Sequence, residues 1–209
     1  MPNIANLLRL LVGRYPDPKI ELRYSNPLEL LVATILSAQA TDKKVNEVTE
    51  GLFVKYKTPH DYAVVDLQEL ENDIRSINFY RNKARMIKGC CQKIVDDFGG
   101  SIPDSIEELT KLPGIGRKTA NVILANAFQR DAIAVDTHLL RVTNRLGLVN
   151  EKDPDKIEMK LMSIIPKDEW TRFSKALTLH GRYTCKAQKP LCDTCFLSGE
   201  CEFFMKKGV

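Results

Sequence analysis

The sequence lacks the features of membrane and secreted proteins. None of its apolar runs approaches the ~18 residues that a membrane-spanning helix needs. Its first segment, MPNIANLLRLLVGRY, has apolar residues at helical spacing but neither a basic leading region nor a cleavage site, so we expect a helix of the mature protein. We therefore expect a reducing bacterial or archaeal cytoplasm, where the six cysteines would not form a disulfide framework.

The sequence also has little net charge. Its balance of +4 permits a nucleic-acid partner without requiring one. Acidic residues are spread along the chain, whereas Lys and Arg gather near positions 111–118 and 182–189. The location of the charge therefore says more about a partner than its total does.

Signals for β-strands are missing as well. No stretch alternates with a period of two, and no strand–turn–strand pattern occurs. The periodic segments are helical: Asn26 before Pro27 is typical of a helix start, and Asp104 with Glu107 forms a capping-box pattern before another helix. The 209 residues predict an all-α protein with one large domain or two small ones.

The stretch LPGIGRKTA, residues 112–120, breaks a helical pattern that runs up to it and resumes after it. Gly114 and Gly116 allow a sharp turn and let another molecule approach the backbone without a Cβ in the way. The N–H groups at the start of the second helix, with Arg117 beside them, suit a phosphate. Taken alone, the pattern is more often an ordinary corner between two helices.

Lys118 lies in the first turn of that second helix. The positive end of the helix dipole and the neighbouring Arg117 and Lys111 disfavour a further positive charge there. That environment favours an uncharged, nucleophilic amine. On this stretch alone, however, a phosphate-contacting lysine is the better interpretation.

The segment AIAVDTHLLRVTNRLGL contains a second candidate group. Asp136 precedes a helical stripe, so it has the position of an N-cap, the majority use of Asp at such sites. A carboxylate near an amine nucleophile could also transfer protons and stabilise positive charge on a sugar. His138 is interpreted as a structural or supporting group.

Four cysteines occur within 17 residues near the end of the chain. Their spacing, C-x6-C-x2-C-x5-C, indicates a metal site, and four thiolates accept either zinc or an iron–sulfur cluster. Cys90 and Cys91 lie within a helical stripe and are expected in the core. The four candidate ligands are Cys185, Cys192, Cys195 and Cys201.

Basic residues accompany the first of these cysteines. Lys186 and Lys189 lie in the loop KAQKPL, and Arg182 precedes it. Such a loop suits DNA phosphates, although a solvated loop would have a similar composition.

Together, these three elements resemble the endonuclease III family of base-excision DNA glycosylases with AP lyase activity. That family's pattern is LPGIGRKTA, then AVDTH with its aspartate eighteen residues after Lys118, then HGRYTC opening the cysteine spacing. The resemblance covers essentially the whole chain. It implies two helical domains with a DNA-binding cleft between them: a six-helix domain at 20–130 with a helix-hairpin-helix, and an iron–sulfur cluster domain made of 1–19 and 131–209.

The resemblance also implies roles for the candidate residues. The four cysteines would hold one [4Fe–4S] cluster with a mainly structural, DNA-positioning role. Lys118 would be the nucleophile and Asp136 the catalytic carboxylate. The partner would be double-stranded DNA with oxidised pyrimidine or abasic lesions, cleaved 3′ to the abasic site by β-elimination through a lysine Schiff base. A monomer is the default expectation.

Two further segments match the family. The resemblance places Gln39, in LSAQATD, opposite the orphaned base, and Phe79, in SINFYRNKA, at the wedge position in the base stack. A helix-end glutamine and a buried aromatic are the commoner interpretations. The family usually has Gly before the wedge residue, whereas this chain has Asn78, which tolerates a left-handed backbone nearly as well. We therefore expect Asn78 to supply the turn.

Two alternatives are weighed against this function. A monofunctional relative that removes adenine mispaired with oxidised guanine usually lacks lysine at the position of Lys118. It also tends to carry a further C-terminal domain, whereas this chain ends soon after Cys201. A non-catalytic DNA-binding protein with a structural zinc knot would bind DNA without turnover.

Overall fold

The computed structural model describes residues 2–206, and over that range it contains α-helices and short 3₁₀ turns but no β-strand. This confirms the all-α prediction. No helix within the described range is long and apolar enough to cross a membrane. The chain forms two compact units: one is Glu21–Gln129, and the other combines Met1–Ile20 with Arg130–Val209. The roles predicted for these parts of the chain, as a hairpin domain and a cluster domain, stay predictions.

The unit Glu21–Gln129 is built around α2, the most apolar of its helices. Asn26 caps α2 by accepting a hydrogen bond from the Glu29 backbone N–H at 3.0 Å, and Pro27 occupies the first turn as predicted. Leu30 and Leu31 are completely buried. The helices of this unit are α2 (Pro27–Ser37), α3 (Asp42–Lys55), α4 (Pro59–Val64), α5 (Leu67–Asp73), α6 (Tyr80–Phe98), α7 (Ile106–Leu109) and α8 (Arg117–Ala127).

The predicted capping box at Asp104 and Glu107 is wrong by one residue. Ser105 caps α7, because its Oγ accepts a hydrogen bond from the Glu108 N–H and donates one to Glu108 Oε2 at 3.0 Å. Ser105 and Glu108 thus cap the helix one position later than predicted, through two hydrogen bonds that both involve Ser105 Oγ, and the helix in this register has Leu109 fully buried. Of the two possible N-caps, Asp104 and Ser105, the structure uses Ser105.

The second unit has its core where the first helix meets the C-terminal helices. Leu7 of α1, Leu139 of α9 and Leu177 of α11 are all fully buried in one apolar cluster. The helices of this unit are α1 (Ile4–Arg14), α9 (Thr137–Leu146), α10 (Pro154–Ile164), α11 (Trp170–Tyr183) and α12 (Glu202–Lys206), with 3₁₀ turns at Lys167–Glu169 and Ser198–Glu200.

The crossing of α9 and α11 depends on one glycine. A Cβ added to Gly181 would lie 2.8 Å from His138 Cβ and 3.1 Å from a methyl group of Val142. Real Cβ atoms do not approach so closely, so only glycine fits at this point of α11. The glycine of the HGRYTC segment therefore fixes how α11 packs beside the start of α9, where Asp136 lies.

Candidate functional site

The turn between α7 and α8 uses its two glycines differently. Gly114 has a φ of +79°, and a Cβ there would lie 3.2 Å from Met86 Cβ, so both the backbone conformation and the packing require glycine. Gly116 has an ordinary φ of −88°, and a Cβ there would meet nothing within 4 Å. The fold itself therefore leaves open space beside Gly116.

The start of α8 has the properties of an anion site. Gly116 is its N-cap and makes no side-chain hydrogen bond, and the first turn contains no acidic residue. Arg117 and Lys118 occupy that turn, and both are exposed. The helix N-terminus and two cationic side chains thus face the same surroundings, which favours a phosphate or another anion.

Gln39 lies at the tip of a tight turn after α2. The Ala40 N–H donates to the Ser37 carbonyl at 3.1 Å, and Ala38 has φ −57° and ψ 115°. Gln39 follows with a φ of +55°, so the turn is of type II with a glutamine where glycine is usual. Its exposed side chain is presented by a left-handed backbone.

Phe79 corrects the expectation for Asn78. The left-handed residue is Phe79 itself, with φ 59° and ψ 29°, whereas Asn78 does not have a positive φ. Phe79 is the N-cap of α6, where an extended backbone is usual, and the first hydrogen bond of α6 runs from the Lys83 N–H to the Phe79 carbonyl at 3.1 Å. The Asn78 side chain instead donates to the Gln39 carbonyl at 3.1 Å. Phe79 is 64% exposed, which excludes the buried-aromatic interpretation.

Asp136 is the N-cap of α9 and uses only one of its two carboxylate oxygens in hydrogen bonds to the described residues. Its Oδ1 accepts hydrogen bonds from the Leu139 N–H at 2.7 Å and from Thr178 Oγ1 at 3.4 Å. Its Oδ2 accepts no hydrogen bond from residues 2–206, and the side chain is half-buried. Capping and a chemical role are therefore compatible, because each can use a different oxygen.

The four cysteines are free thiols that line a single pocket of the second unit. The empty space of this pocket, including its open side, is about 380 Å³. Within residues 2–206, no three side chains of metal-ligand type converge on a single-ion site. Four cysteine thiols that line one pocket provide the ligand set of an iron–sulfur cluster. The cysteines that line the pocket are the four predicted ligands, Cys185, Cys192, Cys195 and Cys201.

The sulfurs of this pocket lie among partly buried side chains that contact them. Burial, followed by the charge of the other cysteines, raises the pKa of Cys195 and so favours the neutral thiol. Arg145 Nη1 donates to Cys185 Sγ at 3.3 Å. Burial lowers the pKa of His180 to about 4, and the neutral ring lies with Nε2 at 3.6 Å from Cys195 Sγ. Its buried Nδ1 has no hydrogen-bond partner among the described residues.

Arginines of α9 hold the start of the cysteine loop. Arg141 donates to the Cys185 carbonyl at 3.0 Å and to the Gly181 carbonyl at 2.8 Å. Arg145 donates to the Lys186 carbonyl at 2.7 Å and to the Ala187 carbonyl at 3.0 Å. The helix that begins at Asp136 therefore also anchors the loop that follows Cys185.

The predicted basic residues lie in and beside this loop. Lys186 and Lys189 are exposed, and Lys189 has a left-handed backbone with φ 49°. Arg182 is half-buried in the last turn of α11. Because the Lys186 backbone is anchored and its side chain is exposed, the loop presents positive charge from a fixed support.

The predicted site residues fall into two groups, one in each unit. Gln39, Phe79 and the residues around Lys118 belong to the unit Glu21–Gln129, whereas Asp136, the basic loop and the cysteines belong to the other. Supporting residues that the sequence left unnoticed are Lys83, Arg141, Arg145 and His180. Arg141 and Arg145 are four residues apart, so they lie on one face of α9. This spacing could have indicated that both arginines bind the same segment.

Comparison with known proteins identifies the family of the chain. Residues 32–167 match the HhH-GPD superfamily of base excision DNA repair proteins, and residues 185–201 match the iron–sulfur binding domain of endonuclease III. The chain is 50% identical to endonuclease III of Bacillus subtilis (strain 168), over 92% of this chain and 89% of that protein.

Two solved structures are similar to the whole chain. One is a non-covalent endonuclease III–DNA complex, with 49% identity, a TM-score of 0.92, and coverage of 98% of this chain and 96% of that one. The other is a trapped endonuclease III–DNA covalent intermediate, an estranged-adenine complex, with 48% identity, a TM-score of 0.93 and coverage of 99% of both chains. The fold, the cysteine pocket and these similarities together make the chain a member of the endonuclease III family of base-excision DNA repair enzymes, with a [4Fe–4S] cluster as its cofactor.

Proposed function

We propose that the protein is a bifunctional DNA glycosylase and AP lyase in which Lys118 is the nucleophile and Asp136 is the catalytic carboxylate. The observation that carries this proposal is the setting of Lys118. It is an exposed amine in the first turn of α8, directly after a turn whose Gly116 leaves open space at the backbone. A DNA phosphate bound at that helix start would bring a deoxyribose close to the amine.

The chemistry follows from an amine and a carboxylate. Extrusion of the nucleotide costs a few kcal/mol, least for a damaged base. The deprotonated Lys118 Nζ would bond to the sugar C1′ while the C1′–N bond to the base breaks and the base leaves with its electron pair. Asp136 would take up a proton and stabilise positive charge on the sugar. The C1′–O4′ bond then breaks, O4′ takes up one of the two protons on the nitrogen, and the opened sugar is left as a protonated Schiff base. Loss of a C2′ proton then expels the 3′ phosphate by β-elimination, and water releases the lysine.

The remaining predicted residues would bind the DNA. The start of α8 would hold a backbone phosphate, and the basic loop would hold another. The two exposed side chains on left-handed turns would fill the space that the extruded nucleotide leaves. The proposed DNA-contacting residues are Gln39, Phe79, Gly114, Gly116, Arg117, Arg182, Lys186 and Lys189.

The cluster has a supporting part in this proposal. When bound, it supplies metal–thiolate bonds that cross-link residues 185–201 into a rigid segment. The chain itself does the rest: Arg141 and Arg145 fix the start of that segment to α9. The basic side chains of the loop would then meet phosphates without a cost of ordering the backbone.

The proposed substrates are duplexes that contain an oxidised pyrimidine or an abasic site, and the proposed working form is a monomer in a bacterial or archaeal cytoplasm, at the nucleoid. The DNA complexes of the similar endonuclease III proteins support a DNA substrate. The trapped covalent intermediate among them supports covalent catalysis for this chain too. Oxidised pyrimidine bases pair less firmly and are therefore cheaper to extrude.

Borohydride trapping on a thymine-glycol duplex tests the nucleophile. We expect the wild type and Lys111→Gln to form a covalent protein–DNA adduct and Lys118→Gln to form none, with duplex affinity changed by less than about tenfold. Lys111 is the matched control, an exposed lysine just before the same turn. An adduct that persists in Lys118→Gln would remove Lys118 from this role. Base release without any adduct in the wild type would mean a monofunctional glycosylase.

A further inference from the structure

The turn that carries Gln39 is held by side chains from the segment that carries Phe79. Three carbonyl groups at the end of α2 and in this turn accept hydrogen bonds from two side chains, one just before α6 and one in its first turn. Lys83 Nζ donates to the Leu36 carbonyl at 2.8 Å and to the Ala38 carbonyl at 2.6 Å. Asn78 Nδ2 donates to the carbonyl of Gln39 itself at 3.1 Å.

Lys83 is an unusual residue to find in such a place. It is only 4% exposed, and it makes no hydrogen bond to a carboxylate within residues 2–206. Burial lowers its pKa, so the charged side chain destabilises the fold unless its donors are used. An ammonium group at the C-terminal end of α2 satisfies carbonyls that have no partner in the helix and opposes the negative end of the helix dipole.

The two turns that these bonds connect are both strained. Gln39 and Phe79 have left-handed backbones although neither is glycine. Such conformations persist only where the surrounding structure imposes them, and they concentrate at functional positions. Both side chains are exposed, so packing against their neighbours does not explain the conformations. The hydrogen bonds from Asn78 and Lys83 supply the missing restraint on the Gln39 turn.

We propose that Asn78 and Lys83 are positioning residues that lock the Gln39 turn to the Phe79 turn, so that both side chains enter the duplex as one preformed unit. This inference rests on the proposed function, because it requires that Gln39 and Phe79 fill the space of the extruded nucleotide. A preformed unit loses no conformational entropy at the moment of insertion, which makes extrusion cheaper. Asn78 restrains the Gln39 carbonyl directly, whereas Lys83 restrains the end of α2 beneath it.

This role predicts an effect that depends on the substrate. A paired lesion in a duplex must be extruded and its space filled, whereas an abasic site in single-stranded DNA leaves no space between stacked bases. Loss of the lock should therefore slow turnover on the duplex and leave β-elimination on the single strand unchanged. General damage to the fold would slow both reactions alike.

The test compares Asn78→Ala with Asn82→Ala under single-turnover conditions. Asn82 is the matched control, an exposed asparagine in the first turn of α6 whose side chain makes no hydrogen bond to the described residues. We expect Asn78→Ala to slow base release from a thymine-glycol duplex about fivefold, in line with the loss of one hydrogen bond, and to leave cleavage of a single-stranded abasic oligonucleotide within about twofold. Lys83→Met should reproduce this selective loss.

A double-mutant cycle with Gln39→Ala distinguishes the role of Gln39 in DNA binding from the positioning role of Asn78. If Asn78 acts by placing Gln39, then adding Asn78→Ala to Gln39→Ala should slow the duplex reaction by less than about twofold. Effects that multiply, or an equal loss on both substrates, would overturn the lock. If Gln39→Ala retains the wild-type rate on the duplex, the role of Gln39 in the proposed function fails and the lock fails with it. If Gln39→Ala is slow but Asn78→Ala is not, only the lock fails.

Discussion

The turns of the unit Glu21–Gln129 and the cysteine loop of the other unit present side chains in different ways. The Gln39 turn is held by hydrogen bonds from Asn78 and Lys83, all of them supplied by the polypeptide. Residues 185–201 contribute four free thiols to the lining of one pocket. The Gln39 turn relies on hydrogen bonds within the chain, whereas the cysteine loop relies also on its cofactor. Two surfaces of one protein can therefore be preorganised by different means.

The chain prepares the cysteine loop only in part. Arg145 holds the backbone of Lys186 and Ala187, and Phe196 packs edge-on against His180 with their centroids 5.2 Å apart. Between these anchors, the pocket contains sulfur atoms whose charged form is disfavoured by burial, as the raised pKa of Cys201 shows. Metal–thiolate bonds would stabilise the charged form of these buried sulfurs, which metal binding requires.

Removal of one proposed cluster ligand should disturb the cysteine loop and leave the Gln39 turn intact. We expect Cys192→Ser to abolish the visible absorption near about 400 nm and to destabilise the second unit by on the order of 5 kcal/mol, since metal binding and folding are coupled. Hydrogen exchange should then show lost protection in α9 and α11, with α2 and α6 still protected. Cys90→Ala, at a buried cysteine of α6, should keep the full absorption. An unchanged spectrum in Cys192→Ser would exclude Cys192 as a ligand.

Asp136 combines a structural role, as a helix cap, with a proposed chemical role. We expect Asp136→Asn to slow base release by at least about 100-fold, since an amide can neither take up a proton nor stabilise positive charge on the sugar. Duplex affinity and the unfolding temperature should stay near wild type, because Asn also caps helices well and can still accept from the Leu139 N–H. Asp153→Asn, at the N-cap of α10, is the matched control and should keep full activity. A collapse of stability in Asp136→Asn would mean that Asp136 is mainly a cap.

Sequence patterns predicted the helical elements and most of the candidate site. Apolar periodicity and capping residues gave the all-α fold, because helix starts such as Asn26–Pro27 are set by neighbours in the chain. The cysteine spacing and the Gly-rich turn were equally local, so both could be recognised. The Asp104 box failed because two overlapping capping patterns were possible and Leu109 is buried in the later register.

Long-range contacts were beyond prediction from the sequence. Nothing near Lys83 shows that its ammonium group reaches carbonyls 47 and 45 positions earlier in the chain. The same holds for Gly181, whose need for a missing Cβ comes from His138 on another helix. The left-handed residue was assigned to Asn78 because asparagine tolerates that conformation, but the structure has it at Phe79. The Asn78 side chain instead binds the Gln39 carbonyl, 39 positions earlier in the chain.

Substitution of the two glycines between α7 and α8 should have smaller effects. Gly114 is required by the fold, whereas Gly116 is proposed to be required for DNA binding. Gly114→Ala should lower the free energy of unfolding by about 1–3 kcal/mol, because it forces a positive φ on alanine and crowds Met86. Gly116→Ala should cost only about 0.5–1 kcal/mol, the price of a poorer N-cap, since its Cβ would meet no atom within 4 Å. Binding should nevertheless suffer, because a Cβ would occupy the space in which a phosphate approaches the start of α8. Denaturant unfolding and duplex binding at fixed salt measure the two quantities separately. Wild-type duplex affinity in Gly116→Ala would mean that the phosphate does not approach the backbone there.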